Sequence, residues 1–478
     1  MNILAQKLSE LLGPQGWLTD GDMAGYSRDW LNRYGETPLG VARPASTREV
    51  AAIVAACHEA GVPVTPQGGN TSLCGGAVLG QPGGVLISLS RMGKIGEPDP
   101  TAGMVEVETG VVLATLHENL QRHGLIFPLH LGAEGSAQIG GLIGTNAGGS
   151  HALRYGMMRD LVLGLEVVLP DGRIWNGMRA VQKDNAGYAL RGLFCGAEGT
   201  LGIVTRAELK LYPAPSARMT ALLALPHINA LLAFGTRLRA QAGEFISGLE
   251  FFCDFGLEMA LNHVHGLEFP LETRAPWYLL VEMTAGSKLV PLEQILEETL
   301  TTGMDAGEVV DGVLAMNETQ RAAIWCLREE QPEGQRLEGA QLKHDISVPP
   351  DRLAAFIEQA AQICETILPG VRPNPFGHLG DGNTHYNLTP PIGQDSFGDL
   401  GPRLAQELGQ LATALSGSFA AEHGLGRAKI ALADLLRSPV ERELMADIKT
   451  GIDPKNIMNP GALLQIGPPR STTDLGAD

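Results

Sequence analysis

Apolar residues at positions 4, 8, 11 and 12 (Leu4, Leu8, Leu11, Leu12) recur at helical spacing, so the first 25 residues read as a helix. Ser46 and Thr47 stand before a second amphipathic stretch, Arg48 to Ala60, with Gly61 placed to end it. The pattern then turns strand-like. Pro63 to Thr65, Val85 to Ser88 and Met104 to Thr109 are short and rich in β-branched residues. Leu163 to Leu169 and Arg173 to Trp175 flank Pro170-Asp171-Gly172 and predict a hairpin, with a further strand pair near Ile203 to Tyr212.

The character changes after Pro213-Ala214-Pro215. Ala221 to Leu225, Gly248 to Phe252 and Trp277 to Thr284 read as strands alternating with helical stretches, which predicts an α+β arrangement with one antiparallel sheet covered by helices. From Asp351 helices dominate, interrupted by Phe376 to Asn387 and by Ala420 to Arg427. The expected organisation is a domain over 1–215, a second over 216–430 and a C-terminal helical segment over 431–478 that returns to the first. No internal repeat is visible, and the polar tail after Pro468 reads as mobile.

At 478 residues the chain is long enough for two or three cores. Its net charge of −18 repels phosphate backbones, so nucleic-acid binding is not expected. The six cysteines show no CxxC and no metal-type spacing, which argues for reduced thiols and against an iron–sulfur cluster. Residues 1–20 lack a basic stretch followed by an apolar core, and no apolar run is long enough to span a bilayer. The chain therefore reads as soluble and cytoplasmic.

The 61 glycines are concentrated in short runs without a three-residue period. Three runs stand out: Pro66-Gln67-Gly68-Gly69-Asn70-Thr71-Ser72, Gly132 to Gly149, and Gly196 to Gly202. Neither G-x-G-x-x-G after a strand nor G-x-x-x-x-G-K-[ST] occurs. Consecutive glycines let backbone N–H groups converge on phosphate oxygens, and Asn, Thr and Ser add side-chain donors. Three such runs favour a nucleotide cradle over three unrelated tight loops.

In order and content these runs resemble the FAD domain of the vanillyl-alcohol oxidase/p-cresol methylhydroxylase family, through PQGGNT, IGGLIGTNAGG and GAEGTLGIVT. The resemblance implies that fold, with an α+β substrate (cap) domain and a helical C-terminal segment. It implies that Gly68, Gly69, Asn70 and Thr71 hold the FAD pyrophosphate. Ser136, Gly140, Gly141, Thr145 and Asn146 would line the flavin, and Glu198, Gly199 and Ile203 the adenosine side. Several members link flavin covalently to a histidine in the first loop; Asn70 here implies non-covalent FAD.

A second constellation lies downstream. His378 and His385 bracket Leu379-Gly380-Asp381-Gly382-Asn383-Thr384, whose glycines permit a sharp reversal that lets both imidazoles reach one point. Glu422 and His423 follow later. Two imidazoles and a carboxylate suit Zn²⁺ or a similar ion with open positions. By spacing alone, hydrogen-bonded histidines flanking a turn explain the pattern equally well.

The stretch Arg328 to Lys343, the segment GHLGDGNTHYN and AEHGLG resemble the C-terminal half of the D-2-hydroxyglutarate, D-lactate and glycolate dehydrogenase group. That resemblance implies His378, His385 and Glu422 as ligands of a divalent metal, zinc foremost, and His423 as the base. Arg328 would clamp a carboxylate, Asn387 would contact substrate, and Lys343 matches a lysine of the hydroxyglutarate-type enzymes that suits a second carboxylate. Pro332 departs from them, standing where they carry a hydroxyl-bearing residue.

The function implied is oxidation of a D-2-hydroxy acid, with a dicarboxylic acid such as D-2-hydroxyglutarate or D-malate favoured and D-lactate or glycolate as the alternative. Electrons would pass to an electron-transfer flavoprotein or quinone, or in an oxidase to dioxygen; assembly as a homodimer is left open. A non-catalytic flavin-binding subunit is the reading from another class, and the joint presence of His378, His385, Glu422 and His423 argues against it. A zinc hydrolase would leave the glycine runs unexplained and lacks H-E-x-x-H.

Overall fold

The computed structural model describes residues 3–466, and the expected polar tail lies outside them. Contacts gather the chain into two compact units. One comprises residues 1–149, 155–214 and 422–478, and the other residues 150–154 and 215–421. The cap-type unit thus ends at Ala421, with the expected boundary at 430, and takes in the short tract 150–154.

The first unit holds two four-stranded sheets and a two-stranded ribbon. One sheet has the order β1 (Trp17–Leu18), β2 (Gly40–Ala42), β4 (Val85–Ser88), β3 (Val64–Gln67), with β4 parallel to both neighbours. The other has the order β5 (Met104–Glu108), β9 (Ile203–Lys210), β7 (Val162–Val168), β8 (Ile174–Gly177), all antiparallel. β6 (Leu125–Ile126) and β10 (Tyr212–Pro213) form the ribbon.

The β7–β8 hairpin is the one the pattern predicts, with Gly172 at φ 87° in its turn. The helix Thr47–Ala60 also matches: Ser46 Oγ accepts from Glu49 N and Gly61 adopts φ 66° at its end. The N-terminal helix is shorter than expected. It spans Ile3–Gly16 and is kinked at Gly13, whose φ is 63° and ψ −177°, ahead of Pro14. Leu4 and Leu8 are buried in the sheet's core, while Leu11 is exposed.

After the helix Pro439–Ile452 the chain returns to this unit's parallel sheet. Val64 N donates to Ile457 O at 2.8 Å, and Asn459 N donates to Val64 O at 2.7 Å.

The second unit is built on a seven-stranded antiparallel sheet. Its order is β14 (Asp311–Leu314), β11 (Ala217–Leu225), β13 (Trp277–Ala285), β12 (Ile246–Cys253), β16 (Arg372–His378), β17 (Asn383–Thr389), β15 (Asp345–Ser347). Alternation divides its side chains between two cores. Leu223, Phe251, Leu279, Val281, Tyr386 and Leu388 face one, with the helices Ile228–Ala242, Leu353–Ile367 and Gly401–Ala414. Leu222, Phe252, Tyr278, Leu280 and Phe376 face the other, with the helices Asp254–His263 and Glu318–Glu329.

The stretch 376–387, expected as an interruption among helices, is most of the β16–β17 hairpin inside this sheet. Its glycines and histidines hid the period-two signal.

Candidate active site

In the first unit the three glycine-rich runs meet. A Cβ on Gly69 would lie 2.0 Å from Ser136 O, and one on Gly68 3.2 Å from Gly141 Cα and N, so the first two runs pack backbone to backbone. The third run joins them through hydrogen bonds from Gly196 N to Ile143 O (2.9 Å) and Glu198 N to Gly144 O (2.8 Å). A Cβ on Gly199, which has φ +70°, would overlap Pro66 Cγ at 2.4 Å.

Around Gly132 and Gly135 an added Cβ would meet nothing within 4 Å, so open space lies beside this junction.

Individual side chains do different work. Asn70 (φ 53°) donates from Nδ2 to Arg28 O at 2.7 Å. Asn146 (φ 52°) ends the helix Ile139–Thr145 and accepts from Arg159 N at 2.8 Å. Thr145 Oγ1 donates back to Gly141 O, and Gly140 N to Thr109 O. Thr71 lies half-buried in the first run. Ile203 is buried in the core at the start of β9. The Glu198 carboxylate accepts from Leu425 N (2.9 Å) and Gly426 N (2.8 Å). Burial pushes this carboxyl up to about 7 against those two donors.

In the second unit, β16 and β17 pair with Phe376 opposite His385 and His378 opposite Asn383. His378 and His385 are therefore diagonal neighbours on one sheet face, their ring centroids 5.9 Å apart and nearly perpendicular. The turn between them depends on Gly382 (φ +74°), where a Cβ would lie 1.9 Å from Val348 O. Asp381 Oδ1 accepts from Asn383 N, and Asn383 Nδ2 donates to Asp345 Oδ1 and Ile346 O.

Glu250 on β12 supports this pair. His378 Nδ1 lies 2.6 Å from Glu250 Oε1. An ionised carboxylate only accepts, so Nδ1 carries the proton and the Nε2 lone pair is presented on the other side of the ring. Arg328 Nε and Nη2 each lie 2.9 Å from Glu250 Oε2, and the guanidinium stacks over the Phe376 ring at 4.8 Å. The side chains of Glu250, Arg328 and His378 are all nearly or fully buried.

An imidazole held from behind by a carboxylate is the usual arrangement of a metal-binding histidine. His378 so held, with the His385 ring beside it, fits a borderline divalent ion. Glu250 did not emerge from the sequence as a site residue, although a lone carboxylate within Leu249-Glu250-Phe251-Phe252 was a signal.

Two nitrogens of Arg328 are thus engaged with Glu250. Asn387 is buried; its Nδ2 donates to Gln335 Oε1 at 2.8 Å and its Oδ1 accepts from His344 N at 3.2 Å. Lys343 is exposed just before β15. Pro332 is exposed in the first turn of the helix Gln331–Glu338, where a missing N–H costs little. Ala421 N donates to Asp345 O at 3.3 Å, and Glu422 and His423 follow directly in the chain.

Known proteins are similar to this chain over most of its length. The family described as "FAD binding domain" matches residues 38–177, and "FAD linked oxidases, C-terminal domain" matches residues 214–463. The D-2-hydroxyglutarate dehydrogenase of Xanthomonas citri pv. viticola is 36% identical over 93% of each chain.

The chain belongs to the FAD-linked D-2-hydroxyacid dehydrogenase family.

Other relatives in the family include the mitochondrial D-2-hydroxyglutarate dehydrogenase of Bos taurus, 37% identical over 91% of this chain and 78% of that one. The D-2-hydroxyglutarate–pyruvate transhydrogenase of Saccharomyces cerevisiae is 33% identical over 92% and 89%. Among solved structures, p-cresol methylhydroxylase with substrate bound aligns with TM-score 0.74 at 18% identity, covering 97% of both chains. That likeness establishes the vanillyl-alcohol oxidase/p-cresol methylhydroxylase-type fold. Family membership makes the chain an FAD-linked oxidoreductase, and among the described residues no helix is long and apolar enough to cross a membrane.

Proposed function

We propose that this enzyme oxidises a D-2-hydroxy dicarboxylic acid, D-2-hydroxyglutarate first among them, to the 2-oxo acid. The observation that carries the reading is the His378–His385 pair, set on one sheet face with His378 backed by Glu250, in a chain of this family. FAD, when bound, supplies the two-electron acceptor for the C2 hydride, and a divalent ion such as zinc supplies Lewis acidity toward the hydroxyl. His378, His385 and Glu422 would hold that ion.

His423 takes the hydroxyl proton as general base. The C2–H electron pair and the O–H proton leave together as hydride and proton, which balances the oxidation. Arg328 supplies a buried positive charge for one carboxylate through the nitrogen that Glu250 does not engage. Lys343 is the cation for the second carboxylate. Asn387 positions the substrate from a side chain whose own place is fixed by Gln335 and His344. The first two glycine runs would hold the pyrophosphate and flavin through backbone N–H groups, with Asn70 implying no covalent link.

The test is anaerobic mixing of the yellow holoenzyme with D- and L-2-hydroxy acids while flavin absorbance is followed. D-2-hydroxyglutarate should bleach the flavin, its L isomer should not, and D-lactate should react more slowly. Bleaching by L acids alone would overturn the reading. His423→Ala should lower kcat by roughly 10²–10⁴-fold while leaving the flavin spectrum intact. Turnover with an artificial acceptor, compared with dioxygen alone, separates a dehydrogenase using an electron-transfer flavoprotein or quinone from an oxidase.

A further inference from the structure

The loop that carries Glu422 and His423 belongs to the first unit, and residues far away in the chain set its conformation there. Residues 421–425 lie in no helix or strand, so their backbone groups must be satisfied by other partners. Leu425 N and Gly426 N donate to separate oxygens of Glu198, at 2.9 Å to Oε1 and 2.8 Å to Oε2. Successive backbone N–H groups aimed at one anion form a nest, filled here by a side chain of the third glycine run. Gly424 (φ +72°) brings the backbone so close that a Cβ would lie 2.6 Å from Glu198 Oε1.

The loop is held from a second side as well. Arg427 N donates to Cys74 O at 2.7 Å, and a Cβ on Gly426 (φ +50°) would lie 2.0 Å from the same oxygen. The Arg427 guanidinium donates to Val78 O from Nε (3.1 Å) and Nη2 (2.9 Å), to Pro460 O from Nη1 (2.7 Å) and to Asn459 Oδ1 from Nη2 (2.7 Å). Asn459 Nδ2 donates in turn to Gly76 O and Glu198 O, both at 2.8 Å. Leu463 N donates to Gly426 O at 2.8 Å.

The loop is thus braced by the third glycine run and by the segment that follows the first. It also meets the end of the second, where a Cβ on Gly148 would lie 2.6 Å from Glu422 Oε1. The framework expected to cradle the cofactor therefore also fixes the point from which the His423 side chain extends.

We propose that Glu198 and Arg427 are positioning residues for the general base, holding the 422–427 loop on the glycine-run framework and setting the reach of His423. The inference rests on the role proposed above for His423. A base misplaced by about 1 Å can lose roughly 10²-fold in rate. Glu198→Gln leaves one acceptor oxygen for two N–H groups and sets an NH₂ against the other, which opens the nest. Arg427→Lys keeps the charge but has one nitrogen for all four contacts.

The test is anaerobic, single-turnover flavin bleaching by a D-2-hydroxy acid that reduces the parent holoenzyme. Glu198→Gln and Arg427→Lys should each slow bleaching at saturating substrate roughly 10²-fold. The half-saturating concentration, FAD content and flavin reduction by dithionite should stay as in the parent. Amide hydrogen exchange across 421–427, followed by mass spectrometry, should quicken in both variants. Because both residues act through His423, combining either variant with His423→Ala should be no slower than His423→Ala alone. Arg427→Lys carries the test if Glu198→Gln does not fold. Losses that multiply in the double variants, or parent-like bleaching and exchange in the folded single variants, would overturn the proposal. A parent-like rate in His423→Ala itself would instead remove the base assignment on which the inference rests.

Discussion

At the scale of single residues, Glu250 organises the candidate active site. A carboxylate 1% exposed would be costly to bury alone. Here Arg328 satisfies one oxygen and His378 the other. Glu250 thus fixes the tautomer and orientation of His378, and holds Arg328 along the same face. It touches neither cofactor nor substrate in the proposed chemistry and is a positioning residue. Glu250→Gln should lower metal affinity about 10–100-fold and leave flavin absorbance unchanged. Metal content after dialysis is the measurement, and added metal should recover activity. If the variant held metal as tightly as the parent, Glu250 would have a packing role only.

At the scale of elements, the β16–β17 hairpin turns two histidines into a pair. Alternation sends Tyr386 and Leu388 into one core and leaves His385 and Asn387 on the opposite face with Phe376 and His378. A register slip by one residue would reverse those faces. The register is pinned at Gly382, which combines φ +74° with an approach to Val348 O that no Cβ permits. Gly382→Ala should therefore cost at least about 1–3 kcal/mol from the backbone strain alone. Thermal unfolding should show it, with loss of bound metal at temperatures where the flavin is still retained. A Tm within a degree of the parent would contradict this account of the turn. The helix Thr47–Ala60 and the β7–β8 hairpin are the opposite case, because cap and turn residues adjacent in sequence specify them.

At the scale of the whole molecule, the two units do not follow the chain in simple succession. Residues 150–154 lie in the second unit although their neighbours on both sides lie in the first. Arg154 Nη1 donates to Thr284 O at 2.8 Å, and His151 Nε2 lies 3.6 Å from Glu282 Oε1. Glu282 on β13 is buried, and burial alone would raise its pKa. The nearby His151 imidazole, the charge of Arg218 and a hydrogen bond from Trp325 outweigh that and hold it down to about 2.

A depressed carboxyl contributes stability that is present above its unfolded value of 4.5 and is lost as pH falls toward 2. The contribution is on the order of 3 kcal/mol. Urea unfolding between pH 5 and pH 2 should show the parent losing stability more steeply than Glu282→Gln, which should already be weaker at pH 7. Parallel pH profiles would contradict this role.

What could be read from the chain alone was whatever local pattern specifies. The capped helix, the Pro-Asp-Gly hairpin, the three glycine runs and the His-x₆-His spacing each depend on residues close in sequence. Family membership was legible for the same reason, since ordered motifs carry it. Tertiary structure decided the rest. It determined that 376–387 is sheet, because strand pairing is a long-range choice that a Gly- and His-rich segment does not announce. It brought Glu250 to His378 across 128 positions, and turned the Glu198 carboxylate toward Leu425 and Gly426. Burial of a charge is stable only where its partners arrive, and which partners arrive is settled by packing between elements far apart in the chain.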